Sequence, residues 1–269
     1  MTLHSFYGSL RGCLFFGPGG SSETHFKNYR PDIDGLRAIA VLSVVGYHFF
    51  PDFVKGGFVG VDIFFVISGF LIGGILLDAL NKGTFSISDF YARRILRIFP
   101  ALIVVLTVTL FFGWFALLRG EFENLGKHTV GGAGFVANLM FWKESGYFDT
   151  ASERKELLHL WSLGVEEQFY IFFPIFLFGV WKKQLRLVTF ITMIFLVSFF
   201  WNIAIYKKDT ASDFYLPVTR FWELLAGVLL VLWERRNIRS SGSGGQKPCQ
   251  NCMYYKKNNG RVSEACFQG

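Results

Sequence analysis

The chain is poor in the residues that organise soluble proteins. Charged residues make up 17% of its 269 positions, proline occurs seven times and cysteine four times. Cys249 and Cys252 have CxxC spacing and Cys266 follows, yet no fourth cysteine or nearby histidine closes a tetrahedral site, so no metal is expected. A cytoplasmic setting for these residues also argues against structural disulfides. Residues 1–28 lack the long apolar core and small-residue cleavage site of a secretory signal, and no repeat at solenoid spacing is visible. Lysine and arginine exceed aspartate and glutamate by 27 to 20. These basic residues fall between apolar runs and form no single stripe, so no nucleic-acid partner is expected.

What the chain has in abundance is apolar surface: 52% hydrophobic residues, 19% aromatic, 33 of them phenylalanine. Six apolar segments stand out, at about 36–50, 58–80, 98–118, 160–181, 185–206 and 216–233, most near the ~20 residues needed to cross a bilayer core. This predicts an all-α polytopic membrane protein. Lys82, Arg93, Arg94 and Arg97 lie between the second and third segments, Lys182, Lys183 and Arg186 between the fourth and fifth, and Arg235, Arg236 and Arg239 after the sixth. The positive-inside rule makes these connections cytoplasmic, with both termini on that side of an inner membrane. The loop 119–158, acidic on balance, belongs outside, and its apolar piece 129–142 is too short to span and reads as interfacial or re-entrant. Residues 1–28 read as an N-terminal extension, 29–238 as the transmembrane domain, and the polar, Gly/Ser-rich residues 239–269 as a disordered tail.

Ionisable residues inside apolar segments usually mark function. In GLRAIAVLSVVGYHFFP, Arg37 and His48 are eleven residues apart, which on a helix puts both on one face about 16 Å apart along its axis. Either both anchor the helix at the two interfaces, or a substrate lies along this face with its anionic part on Arg37 and its reactive part at His48. Spacing alone does not choose. YARRILRIFPAL places Arg94 and Arg97 on one helical face with Arg93 beside them at the cytoplasmic mouth of the third segment, an arrangement that suits phosphates or simple headgroup anchoring. HLWSLGVEEQFYIFFP carries adjacent carboxylates, Glu166 and Glu167, with Tyr170 on the face of Glu166; Trp161 and Tyr170 also fit an aromatic belt. Arg220 and Glu223 form an i, i+3 pair that reads as structural neutralisation. The same ionisable groups suit a proton or substrate path in a transporter.

Taken in order, YRPDIDGLRAIAVLSVVGYHF, GGFVGVDIFFVISGFLI, FYARRILRIFPAL, GYFD and LLHLWSLGVEEQFYIFFPI resemble the membrane-bound acyltransferase family 3, the group that includes bacterial O-antigen acetylases. The resemblance covers about residues 29–235. It implies an inner-membrane O-acyltransferase that moves an acyl group, usually acetyl, from cytoplasmic acyl-CoA to a carbohydrate hydroxyl across the bilayer, with O-antigen or exopolysaccharide among the acceptors. It further implies His48 as the essential histidine and Arg37 as the arginine of an R-x10-H motif. Arg94 and Arg97, with Arg93, then hold the CoA, Glu166 orients the imidazole or binds the sugar, and Asp62, Ser68, Gly69, Trp161 and Tyr170 support the site. The family implies roughly ten spans where this chain supplies six, so an incomplete reading frame is expected.

Overall fold

In the computed structural model, residues 30–145, 155–183, 186–241, 253–256 and 262–265 are described. The N-terminal extension, the GYFD block at 146–149 and all four cysteines lie outside them. The chain divides into Met1–Leu36 and Arg37–Gly269. In the first unit Arg30 clamps the carboxylate of Asp32 at 2.8 Å, and this hydrogen-bonded ion pair holds the Asp32 carboxyl below its ordinary range.

The described residues form helices α1 (Pro31–Phe49), α2 (Gly60–Asn81), α3 (Ile87–Ala116), α4 (Arg119–Ala133), α5 (Ala137–Glu144), α6 (Leu160–Lys182), α7 (Leu187–Tyr206), α8 (Thr210–Tyr215) and α9 (Pro217–Ser241), with a 3-10 turn at Gly57–Val59. Five spans, Gly57–Asn81, Ile87–Ala116, Leu160–Lys182, Leu187–Tyr206 and Thr210–Asn237, are long and apolar enough to cross a membrane. They make this an integral, helical membrane protein. The first expected segment, 36–50, is helical as α1, but Asp32, Asp34 and Arg37 crowd its first turns and take it out of that class.

The third segment begins well before the expected residue 98. Ser86 accepts a hydrogen bond from the Asp89 backbone N–H and starts α3 at Ile87, and arginine is a good helix former. Arg93, Arg94 and Arg97 therefore ride on the helix itself, in its second and third turns. The piece expected at 129–142 is two helices broken at Gly134–Val136, where Phe135 adopts φ 55°. Residues 253–256 and 262–265, expected without structure, pair as antiparallel strands β1 (Met253–Lys256) and β2 (Val262–Ala265) with Tyr254 opposite Glu264.

In lipid, helices gain little from burying apolar faces, so association depends on close packing of small residues and on interhelical polar bonds. Both operate between α2 and α9. A side chain at Gly69 would collide with the Leu224 carbonyl, one at Gly227 with the Val66 carbonyl, and Gly73 lies against Val228. The seam ends in an ion pair on each side: Asp62–Arg220 at 3.1 Å and Asp78–Arg235 at 2.9 Å, where Arg235 also donates to the Gly74 carbonyl. Asp62 and Arg220 open their helices, Asp78 and Arg235 stand near the far ends, so α2 and α9 run parallel. Across the start of α2, Gly57 packs under Ser43 and Tyr47 and Gly60 under Ala40 and Val44, which docks α1 antiparallel to α2.

Candidate functional site

The centre of the bundle holds a polar group drawn from three sequence blocks. Ser68 of α2 and the Tyr170 hydroxyl both donate to Oε1 of Glu166, and the two hydroxyls also contact each other. Glu166 and Tyr170 are one helical turn apart on α6. The Arg94 guanidinium stacks on the Tyr170 ring at 3.7 Å and pairs with Glu167 at the same distance, closer to an ion pair than to a hydrogen bond. Tyr170 and Glu167 are buried, and Tyr170 sits near the middle of α6. The Arg94 side chain is therefore packed inside the bundle, about two turns from the start of α3. Nearby, Pro174 removes an N–H from the turn that begins at Tyr170, and Tyr91 donates to the Ile171 carbonyl in that turn at 2.7 Å. Trp161 and Tyr170 are interior residues and not a belt: Trp161 packs on Phe214 at 4.2 Å between ring centres and edge-on to Phe65.

A second cluster closes the α2–α9 seam where both helices begin. Arg220 donates through Nη1 to Asp62 at 3.1 Å and to Glu223 at 2.8 Å, and through Nε to the Phe214 carbonyl at 3.3 Å. Its guanidinium also lies over Trp161 and Phe214. Sequence spacing found the Arg220–Glu223 half; Asp62, 158 residues away, carries no local signal. Gly69 serves the seam, where its missing side chain lets the backbones meet.

His48 stands at the last turn of α1 with an exposed side chain. Its Nδ1–H donates to the Val44 carbonyl at 2.9 Å, because a carbonyl only accepts. That fixes the tautomer and leaves the lone pair on Nε2. Arg37 and His48 share a face, on the flank of the one formed by Ala40, Ser43, Val44 and Tyr47, roughly 80° around the helix from its centre. Arg93 and Arg97 are exposed on α3, while Arg94 alone turns inward. His48 bonds the Val44 carbonyl and lies edge-on to Tyr47, whereas Glu166 takes its hydrogen bonds from Ser68 and Tyr170.

One polar cluster was missed by sequence reasoning. His128 of α4, buried against Phe141, donates to Glu144 of α5 at 3.0 Å, and buried Lys155 reaches the same carboxylate at 3.4 Å. It ties the outer helices to the segment that leads into α6. Trp142 donates to Ser212 at 2.7 Å and adds α8 to that strap. Among the described residues no group of three His, Cys, Asp or Glu side chains is placed to hold a metal ion.

Comparison with known proteins identifies the framework. A family model described as an acyltransferase domain matches residues 30–243. YrhL of Bacillus subtilis is 38% identical over 232 residues, which cover 81% of this chain and 36% of that protein. The peptidoglycan O-acetyltransferase OatA of Listeria monocytogenes is 38% identical over 212 residues, 76% of this chain and 34% of its own length. An uncharacterised protein of Haemophilus influenzae is 37% identical over 182 residues, 65% of this chain and 74% of its own. The chain thus spans about a third of the length of the first two relatives. No solved structure matches it. A family match across the whole described bundle, with Ser68, Arg94, Glu166 and Tyr170 from three separate blocks meeting at its centre, places this chain in the membrane-bound acyltransferase family 3.

Proposed function

We propose that this chain is the membrane part of an O-acyltransferase that takes an acyl group, acetyl in the first instance, from cytoplasmic acyl-CoA and delivers it to a hydroxyl of a cell-envelope carbohydrate. The observation that carries the reading is the tautomer of His48: its Nδ1–H is committed to the Val44 carbonyl, which leaves Nε2 as a base at an exposed helix end. Family membership and the name of the OatA relative, a peptidoglycan O-acetyltransferase, support the reaction class and a glycan acceptor.

In the direct route, Nε2 takes the proton of the acceptor hydroxyl as its oxygen attacks the thioester carbonyl. The C–S bond breaks, and the imidazolium returns the proton to the departing thiolate. In the alternative route Nε2 attacks the thioester, the C–S bond breaks and CoA leaves as thiolate; the hydroxyl oxygen then attacks the acyl-imidazolium, the N–acyl bond breaks to restore neutral His48, and the hydroxyl proton passes to the thiolate. Exposed Arg93 and Arg97 suit the nucleotide phosphates, with forked guanidinium donors that match phosphate oxygens. Arg94 serves from inside, where Tyr170 and Glu167 hold α3 against α6. Arg37, on the His48 face, lines the path of the extended pantetheine arm.

Calorimetric titration of nanodisc-embedded protein with CoA tests the donor half. Wild type binds, and Arg93→Ala/Arg97→Ala weakens binding by about tenfold or more, equal to ~1.4 kcal/mol. Undiminished binding by the double variant removes these arginines from the site. No CoA binding by the wild type, with proton-driven solute uptake in its place, turns the reading toward a transporter.

A further inference from the structure

We propose that the cavity between the end of α5 and the start of α8 binds one zwitterionic phospholipid, its headgroup phosphate on Lys143 and its primary ammonium on Asp209. The proposal stands independently of the transferase reading.

The first observation is a pair of opposite charges that share one cavity without meeting. Lys143, on the last turn of α5, and Asp209, which caps α8, line it with Trp142, Ser145 and Ala211. No ion pair ties Lys143 or Asp209 to the other or to any other described residue. Hydrogen bonds from Ser212 hold the Asp209 carboxyl below its ordinary range, so it stays ionised. An anion in this cavity meets Lys143 but is repelled by Asp209, and a cation meets the reverse. A ligand that carries both signs satisfies both walls.

The hydrogen-bonding capacity of the walls says which end goes where. Asp209 accepts the Ser212 backbone N–H at 3.0 Å and the Ser212 hydroxyl, and its carboxylate keeps further lone pairs. The Ser145 hydroxyl spends its proton on the Trp142 carbonyl, so its oxygen can only accept. Trp142 gives its N–H to Ser212 at 2.7 Å, which leaves its π surface to offer. Asp209, Ser145 and Trp142 therefore all suit an ammonium, and Lys143 is the donor left for a phosphate. The cavity measures about 320 Å³. That is the liquid volume of about ten waters, so it admits a polar group of roughly that many non-hydrogen atoms, the size of phosphoethanolamine.

Position makes the ligand a lipid. The membrane-spanning α7 ends at Tyr206, three residues before Asp209, which sets the cavity at headgroup depth. Ser198 and Asn202 turn one face of α7 toward α9 and α8, with bonds to the Val218 carbonyl and to Asp213. Exposed Val197, Phe200, Ile203 and Tyr206 form a ridge at three-residue spacing. The ridge starts on the opposite face and winds to about 40° from Asn202 at Tyr206, so it leads from the lipid-facing side toward α8. Acyl chains lie along this ridge while the headgroup bridges α5 and α8.

Native mass spectrometry of the delipidated full chain in detergent, titrated with palmitoyl-oleoyl phosphatidylethanolamine or phosphatidylglycerol, tests the site. One phosphatidylethanolamine is expected to bind with a Kd about tenfold lower than that of phosphatidylglycerol, which has the phosphate without the ammonium. Lys143→Gln raises the Kd for both lipids by about tenfold, whereas Asp209→Asn raises it for phosphatidylethanolamine alone and abolishes the preference. Asparagine caps a helix as well as aspartate does, so Asp209→Asn keeps α8 in place. Lys143 is exposed, so Lys143→Gln stays decisive even where the cap is disturbed. Equal affinity of the wild type for the two lipids overturns the proposal, as does unchanged phosphatidylethanolamine binding in either variant or equal weakening of both lipids by Asp209→Asn. Competition by soluble O-phosphoethanolamine at the lipid's own concentration overturns the lipid assignment in favour of a soluble ligand. Displacement of the lipid by chitotetraose overturns it in favour of a glycan.

Discussion

Tyr170 shows how much one side chain can join in a bundle of this kind. Its ring carries the Arg94 guanidinium and its hydroxyl shares a carboxylate oxygen with Ser68. Tyr170→Phe removes the hydroxyl and keeps the stacking surface, so it is expected to cost about 1 kcal/mol; Tyr170→Ala also opens a cavity and costs about 3–5 kcal/mol. Thermal denaturation in detergent ranks the two, and equal losses contradict a separable hydroxyl contribution. Glu144 bears on the outer strap: Glu144→Gln leaves buried Lys155 facing a neutral amide and is expected to destabilise by about 1–3 kcal/mol, visible as faster amide exchange in α4 and α5. Much of the residue chemistry was legible where partners lie one helical turn apart, as with Glu166 and Tyr170 or Arg220 and Glu223. The long-range halves were not. Ser68 is 98 residues from Glu166, and nothing local in either segment announces the pairing. The inward turn of Arg94 was equally silent, because RxxR spacing describes a face and does not say which neighbour it meets.

Among the elements, the α2–α9 seam carries the association of the bundle. Gly69 and Gly227 meet opposing carbonyls directly, so a methyl group at either position must push the helices apart. Gly69→Ala is expected to lower stability by about 1–3 kcal/mol, and Gly74→Ala, where a side chain would enter open space, by much less. Similar midpoints for the two variants contradict the seam. The sequence reading took Gly69 only from the family motif and did not find the Gly69–Gly73 spacing or its partner helix, since α2 and α9 are far apart along the chain. Helix boundaries followed apolar character well for α6, α7 and the start of α9, and failed at α3. There a run of arginines reads as loop by charge, yet arginine propagates a helix readily and Ser86 supplies the cap.

For the whole molecule, the parallel course of α2 and α9 agrees with strict alternation of the five spans, which leaves α4, α5 and α8 on one side and the loop around Lys82 on the other. Basic residues concentrate on the Lys82 side, which the positive-inside rule predicts to be cytoplasmic, an orientation that labelling tests. In a cysteine-free background, Lys143→Cys is expected to react with a membrane-impermeant maleimide on intact cells, and Lys82→Cys only after permeabilisation; the reverse pattern inverts the topology. Composition and the apolar segments were enough for a helical membrane protein, and the motif order for its family. The spatial division into an Arg94–Tyr170–Glu166 group inside the bundle and an Asp62–Arg220 group where α2 and α9 begin required the packed bundle. The central claim, that His48 is the base of an acyl-CoA-dependent transfer, is tested most directly by following radiolabelled acetyl from acetyl-CoA to glycan in membranes carrying equal amounts of wild type and His48→Ala. The account predicts labelled glycan with wild type and background label with His48→Ala, while both proteins still bind CoA. Wild-type transfer by His48→Ala would contradict it.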